Sequence, residues 1–221
     1  MNDVATVVAA ALAGVPAGVQ SLGPWAGRRQ LFIRFAGEAE TATMYVASAL
    51  TRELERQQSR SAFHSIVIGG RDPLGSVPFL LAALTAAKPK LPVMLDTDGQ
   101  RPEALDELLP FLALVQVTVE FSGGEASFER AIQTVQVAAK AKCAHALVLV
   151  AREDTPDSQI LRLAQEVNAV SPATQVVIHP FQSPDAYNVL DRRWATLLEQ
   201  AVVAHPDTRL GLRLPPPTGL R

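Results

Sequence analysis

The stretch SFERAIQTVQVAAKAKCAHALVLVAREDTPDSQILRLAQEVNAV, residues 127–170, changes period twice within 44 positions. Over 127–141 the apolar residues Phe128, Ala131, Ile132, Val135 and Ala138 fall at helical spacing, which predicts a helix with one buried face. HALVLVA at 145–151 is then a nearly continuous apolar run, as expected of a parallel strand covered on both faces. Thr155-Pro156-Asp157 suits a helix start, and Ile160, Leu163, Ala164 and Val167 restore the helical spacing through 156–170. Helix, buried strand and helix in this order make a βαβ unit with a parallel sheet the natural reading.

Working outward, the same unit recurs. Strand-like runs are QLFIRF at 30–35, SIVIGG at 65–70, PVMLD at 92–96, LVQVTVEF at 114–121 and QVVIHPF at 175–181. Helix-like stretches lie at 41–58, 76–88, 102–112 and 187–204, with Pro102-Glu103 and Ser127 marking starts. The expectation is an α/β fold with one parallel sheet, open or curled into a partial barrel. RLGLRL at 209–214 would add an edge strand before PPPTGLR removes backbone donors. Residues 1–20 are read as an amphipathic helical extension, and residues 21–221 as one domain.

Of the 221 residues, 48% are hydrophobic and 19% charged, which suits one well-buried core. A formal net charge of −2 gives no general attraction for nucleic acid or an acidic membrane. The single Cys143 can form neither an intrachain disulfide nor a cluster site, so the expected compartment is the reducing cytoplasm. No Lys or Arg precedes Arg28, so the apolar opening lacks the charged start of a signal peptide.

Parallel α/β folds bind ligands beyond the carboxyl ends of their strands. Gly69 and Gly70 follow one strand there, and either cradle a ligand with their amides or only permit a tight turn. Asp72, Asp96, Asp98, Glu120, Glu125 and Asp154 also fall near strand ends, where they either bind a cation, act as acid and base, or are simply solvated. Among histidines 64, 145, 179 and 205 no pair has metal-ligand spacing; only His179 is placed for a site, with a structural role as the plainer reading. Arg34 and Arg152 would meet a ligand anion or pair with an acid. Arg28 and Arg29 beside Trp25 form a small basic patch or a solvated turn.

The order of these segments resembles the radical S-adenosylmethionine (SAM) proteins, in the branch of 7-carboxy-7-deazaguanine synthase. GPWAGRRQLFIRFAG at 23–37 is similar to that branch's entry into its first strand, IGGRDP at 68–73 to its Gly-Gly-Glu-Pro segment, and Thr97-Asp98-Gly99 to its Thr-Asn-Gly. The resemblance extends through RLGLRLPPPTGLR at the carboxy terminus. It implies a partial (β/α)6 barrel, SAM as the small ligand, a homodimer or an active homologue as partner, and a place in 7-deazaguanine and queuosine chemistry. Candidate ligand-binding residues are Gly69, Gly70, Asp72, Thr97, Asp98 and Glu120, which the resemblance implies, and Arg152 and His179, from their positions at strand ends.

One departure dominates. The motif CxxxCxxC should follow Arg34-Phe35-Ala36-Gly37, but its positions hold Glu38, Ala42 and Tyr45, none of which replaces a thiolate on iron. Arg71 also stands where the SAM-binding acid should be. The expectation is a degenerate protein without an iron–sulfur cluster, acting as a small-ligand or partner module. A metal-assisted or acid/base enzyme using the strand-end carboxylates is the alternative, and a retained 7-deazaguanine role a further one. If Met44 and Tyr45 point into the barrel mouth, they plug the former cluster volume.

Overall fold

The computed structural model describes residues 8–181 and 192–211. A single sheet organises them. Its parallel strands are β3 (Arg29–Phe35), β5 (Ser65–Gly70), β6 (Val93–Thr97), β7 (Leu114–Glu120), β8 (Ala144–Ala151), β9 (Gln175–Pro180) and β10 (Thr208–Leu210). These lie side by side in chain order, so each connection moves one place along the sheet. The fold is therefore α/β with a mostly parallel central sheet in one domain.

The crossovers carry α1 (Ala47–Arg60), α2 (Val77–Ala87), α3 (Glu125–Lys140), α4 (Asp157–Val170) and α5 (Arg192–Ala204). Right-handed crossovers between sequentially placed strands put successive helices on the same side. Their apolar faces, including Leu50, Leu54, Leu80, Val135, Ile160, Leu163 and Leu197, share one core with alternate strand residues such as Ile33, Ile68, Leu95, Val117 and Leu149. Intervening strand residues face the other way. There Val67, Met94 and Leu114 form a smaller apolar cluster with Trp25 and Phe32.

Residues 9–19 correct the helical reading of the amino-terminal extension. They form strands β1 (Ala9–Gly14) and β2 (Ala17–Val19), both antiparallel to β3, and β1 also pairs with β4 (Thr43–Val46). Alanine runs carry no clear period, whereas the burial alternates: Ala10 and Leu12 are enclosed and Ala9 and Ala11 are exposed. Pro16 cannot donate to a ladder and falls at the break between the two strands. These residues belong to the main sheet, so position 20 is not an architectural boundary.

Two helix expectations also shift. The stretch 41–58 begins as strand β4, because β-branched and aromatic residues at 43–46 find a partner in β1. The stretch 102–112 is two short 3-10 turns, Pro102–Ala104 and Leu109–Phe111, since Pro110 removes a donor and obstructs a continuous helix. Residues 73–76 form a 3-10 turn ahead of α2. Positions 187–191, 182–186 and 212–221, where the sixth helix start, the proline-containing loop and the tail were expected, lie outside the described residues.

Candidate functional site

The segment from Gln20 to Arg28 is pinned across the sheet face opposite the helices. Its ends are tied by Gln20 N–H donating to Arg28 C=O at 3.0 Å and Gly27 N–H to Gln20 C=O at 2.8 Å. Trp25 at its tip packs into the apolar cluster and meets the His64 ring edge-on, with centroids 5.0 Å apart. Gly23 lies over Gln116, with φ +78°, and a side chain there would come within 1.9 Å of the Gln116 Oε1. Its amide donates to His179 Nε2 at 2.9 Å. His179 is therefore a buried structural residue holding this segment, with Nε2 unprotonated.

Above this segment, a cleft of about 390 Å³ opens at the carboxyl ends of β5, β6 and β7. Gly70, Thr97, Asp98 and Glu120 line it, as the sequence suggested, together with Asp96 and Thr118. Gly70 is required there: its φ is +94°, and a Cβ would lie 2.3 Å from the Phe35 carbonyl oxygen. Thr97 is buried and its hydroxyl accepts from the Gly99 amide at 3.1 Å, which shapes the turn. Asp98 accepts from the Gln100 amide at 3.1 Å, and the Gln100 side chain donates to the Ser127 hydroxyl at 2.8 Å, joining the β6 and α3 loops.

Asp96 forms part of the cleft wall. Removal from water pushes its carboxyl above the usual range, opposed by hydrogen bonds from Thr118, Gln116 and Gln20. The Thr118 hydroxyl donates to Asp96 Oδ1 at 2.7 Å and accepts from Gln116 Nε2 at 3.4 Å. Thr118, Gln116 and Gln20 escaped the sequence reading. The alternation of Leu114, Gln116, Thr118 and Glu120 along β7 places polar groups on one face, a signal hidden within an otherwise apolar run.

The remaining candidates are dispersed. Gly69 pairs with Arg34 across β3 and β5, and its Cβ position faces Asp96 at 3.5 Å. Asp72 receives a double hydrogen bond from Arg101 at 2.8 and 2.8 Å and lines a neighbouring cleft of about 400 Å³ with Asp98, Gln100 and Arg130. The Arg152 guanidinium lies over the Phe181 ring at 5.0 Å, outside the first cleft. Glu125 pairs with Arg162, and Asp154 is exposed. Among the described residues, no group of three or more His, Cys, Asp or Glu side chains is placed to hold a metal ion.

At the positions that resemble a cluster loop, Arg71 pairs with Glu38 at 2.6 Å, while Glu40 pairs with Arg34 and accepts from the Gly37 amide at 2.9 Å. Arg71 hydrogen-bonding and charge hold the Glu38 carboxyl below its usual range. Met44 is 67% exposed on strand β4, and Tyr45 packs against the helix-side core, so neither plugs the strand-end cleft. Cys143 donates to the Leu112 carbonyl at 3.5 Å, and burial pushes its thiol up, consistent with a packing role.

No family model and no curated protein matches the chain. The geometry of the cleft therefore carries the functional argument. None of the helices among the described residues is long and apolar enough to cross a membrane.

Proposed function

We propose that this chain is a degenerate radical SAM-like protein whose sheet curls as a partial (β/α)6 barrel and whose strand-end cleft binds a small polar ligand. The observation that carries the reading is the cleft itself: Asp96, Asp98, Thr118 and Glu120 converge on about 390 Å³ of concave space beyond the carboxyl ends of the strands. The sequential strand order and the resemblance of residues 23–37 and 68–73 support the radical SAM-like part. Glu38, Ala42 and Tyr45 do not fit an iron–sulfur cluster, and no reaction step is assigned to one.

In this reading the protein works in the cytoplasm as a ligand-responsive module, as a homodimer or beside an active homologue of the 7-deazaguanine pathway. The Glu38–Arg71 pair occupies the positions where the resemblance puts a cluster ligand and the acid that meets SAM. Isothermal calorimetry with SAM, before and after anaerobic iron and sulfide treatment, tests this. Heats that do not depend on iron, with no 5′-deoxyadenosine released under dithionite, are expected; iron-dependent binding with release of that product would overturn the reading.

A second reading, an acid/base enzyme on a small polar substrate, is favoured by one observation. Burial raises the Asp96 carboxyl above its ordinary range inside the cleft, the direction that favours a proton-transfer role.

A further inference from the structure

Among the described residues, Asp96 has hydrogen-bond partners but no counter-charge. Its partners Thr118, Gln116 and Gln20 are neutral donors, and the chain from Gln116 Nε2 to the Thr118 hydroxyl to Asp96 Oδ1 directs hydrogens toward the carboxylate. Among the described residues, no Lys or Arg lines the cleft. Three cations of the adjoining loops are paired with other acids: Arg34 with Glu40, Arg71 with Glu38 and Arg101 with Asp72. A part-buried carboxylate facing a cavity without a cation is costly unless the cavity's occupant supplies one.

Among the described residues no three or more His, Cys, Asp or Glu side chains come together as a metal-ligand set, so the lining favours an organic cation over a bare metal ion as that occupant. Asp96 lies at the wall, Glu120 ends β7, and the hydroxyls of Thr118, Ser122 and Ser127 are distributed around the same space. Such a lining matches an extended molecule with one ammonium and several hydroxyl groups.

Resting on the reading of this cleft as the ligand site, we propose that it recognises an organic ammonium bearing hydroxyl groups, with Asp96 as the ion-pairing partner and Thr118, Ser122 and Ser127 as hydroxyl partners. The charge-assisted hydrogen bond to Asp96 supplies the selectivity over neutral polyols.

Two matched probes test it: 1-amino-1-deoxysorbitol, which carries an ammonium, and sorbitol, which carries a hydroxyl in its place. Binding is followed through the backbone amide signals of Gly70 and Gly123, both of which line the cleft. The amine is expected to bind about tenfold tighter or more than sorbitol. Asp96→Asn should abolish that preference while leaving the amide spectrum otherwise folded. Equal affinities, or a preference surviving in Asp96→Asn, would overturn the ammonium assignment but leave the cleft as a ligand site. Shifts of the same amides with magnesium or calcium alone at lower concentration would also overturn it. Failure of both probes to move either amide at their highest soluble concentrations would overturn the cleft reading itself.

Discussion

Arg71 and Glu38 meet at 2.6 Å on two loops that leave neighbouring parallel strands, β3 and β5. Arg71 N–H also donates to the Phe35 carbonyl at 3.2 Å, which fixes the loops side by side. Both side chains are largely exposed, so the pair orders the loops more than it stabilises the fold. Glu38→Gln should leave the thermal unfolding midpoint unchanged within error, as read by circular dichroism.

Introducing three cysteines at the positions named by the resemblance should not create a cluster. Tyr45 sits in strand β4, paired with Ala10, and cannot turn with residues 38 and 42 about one centre without breaking that ladder. The triple variant Glu38→Cys, Ala42→Cys, Tyr45→Cys should remain free of iron and sulfide after anaerobic reconstitution, measured by elemental analysis.

Asp96 should cost the fold stability at neutral pH. Its folded-state pKa is raised by burial, so its contribution is fully present below the unfolded carboxyl value, near 3.9, and is lost as pH rises through the folded value. Asp96→Asn should therefore melt higher than the parent at pH about 7, with the gain disappearing at pH about 3. Melting scans at the two pH values decide the sign.

His205 works in the opposite direction. Burial lowers its folded-state pKa below the usual imidazole value, so the stability it allows is present above the unfolded pKa, near 6.5, and falls as pH drops through the folded value. Urea unfolding should show a loss of stability on acidification through this range, reduced in His205→Gln.

Gly23 is the tightest contact of the segment across the sheet. Gly23→Ala forces a Cβ to 1.9 Å from Gln116 Oε1 at φ +78°, and should cost about 2–5 kcal/mol in urea unfolding. Leu12→Ala should cost about 2–5 kcal/mol as well, because Leu12 is fully buried in the main core on β1. An amino-terminal appendage would lose far less, so this variant separates the two views of residues 9–19.

The parallel strands were legible because continuous apolar runs such as HALVLVA leave little alternative once helices cover one face. Residues 9–14 were not, since alanine serves a helix and a strand alike and only pairing with β3 and β4 decides between them. Of the residues lining the cleft, Gly70, Asp98 and Glu120 were singled out by the rule that ligands lie beyond strand ends. Thr118 and Gln116 did not, because a polar residue inside an apolar strand shows its importance only when the neighbouring strand sets Asp96 beside it. His179 ends its strand as a site residue would, but the amide of Gly23, distant by 156 positions, already occupies its ring nitrogen.

The most direct test of the central claim, a strand-end ligand site on a scaffold without a cluster, is iron content after anaerobic reconstitution of the intact chain. The account predicts no bound iron above a cysteine-free control protein; about four iron atoms per chain, retained through gel filtration, would contradict it.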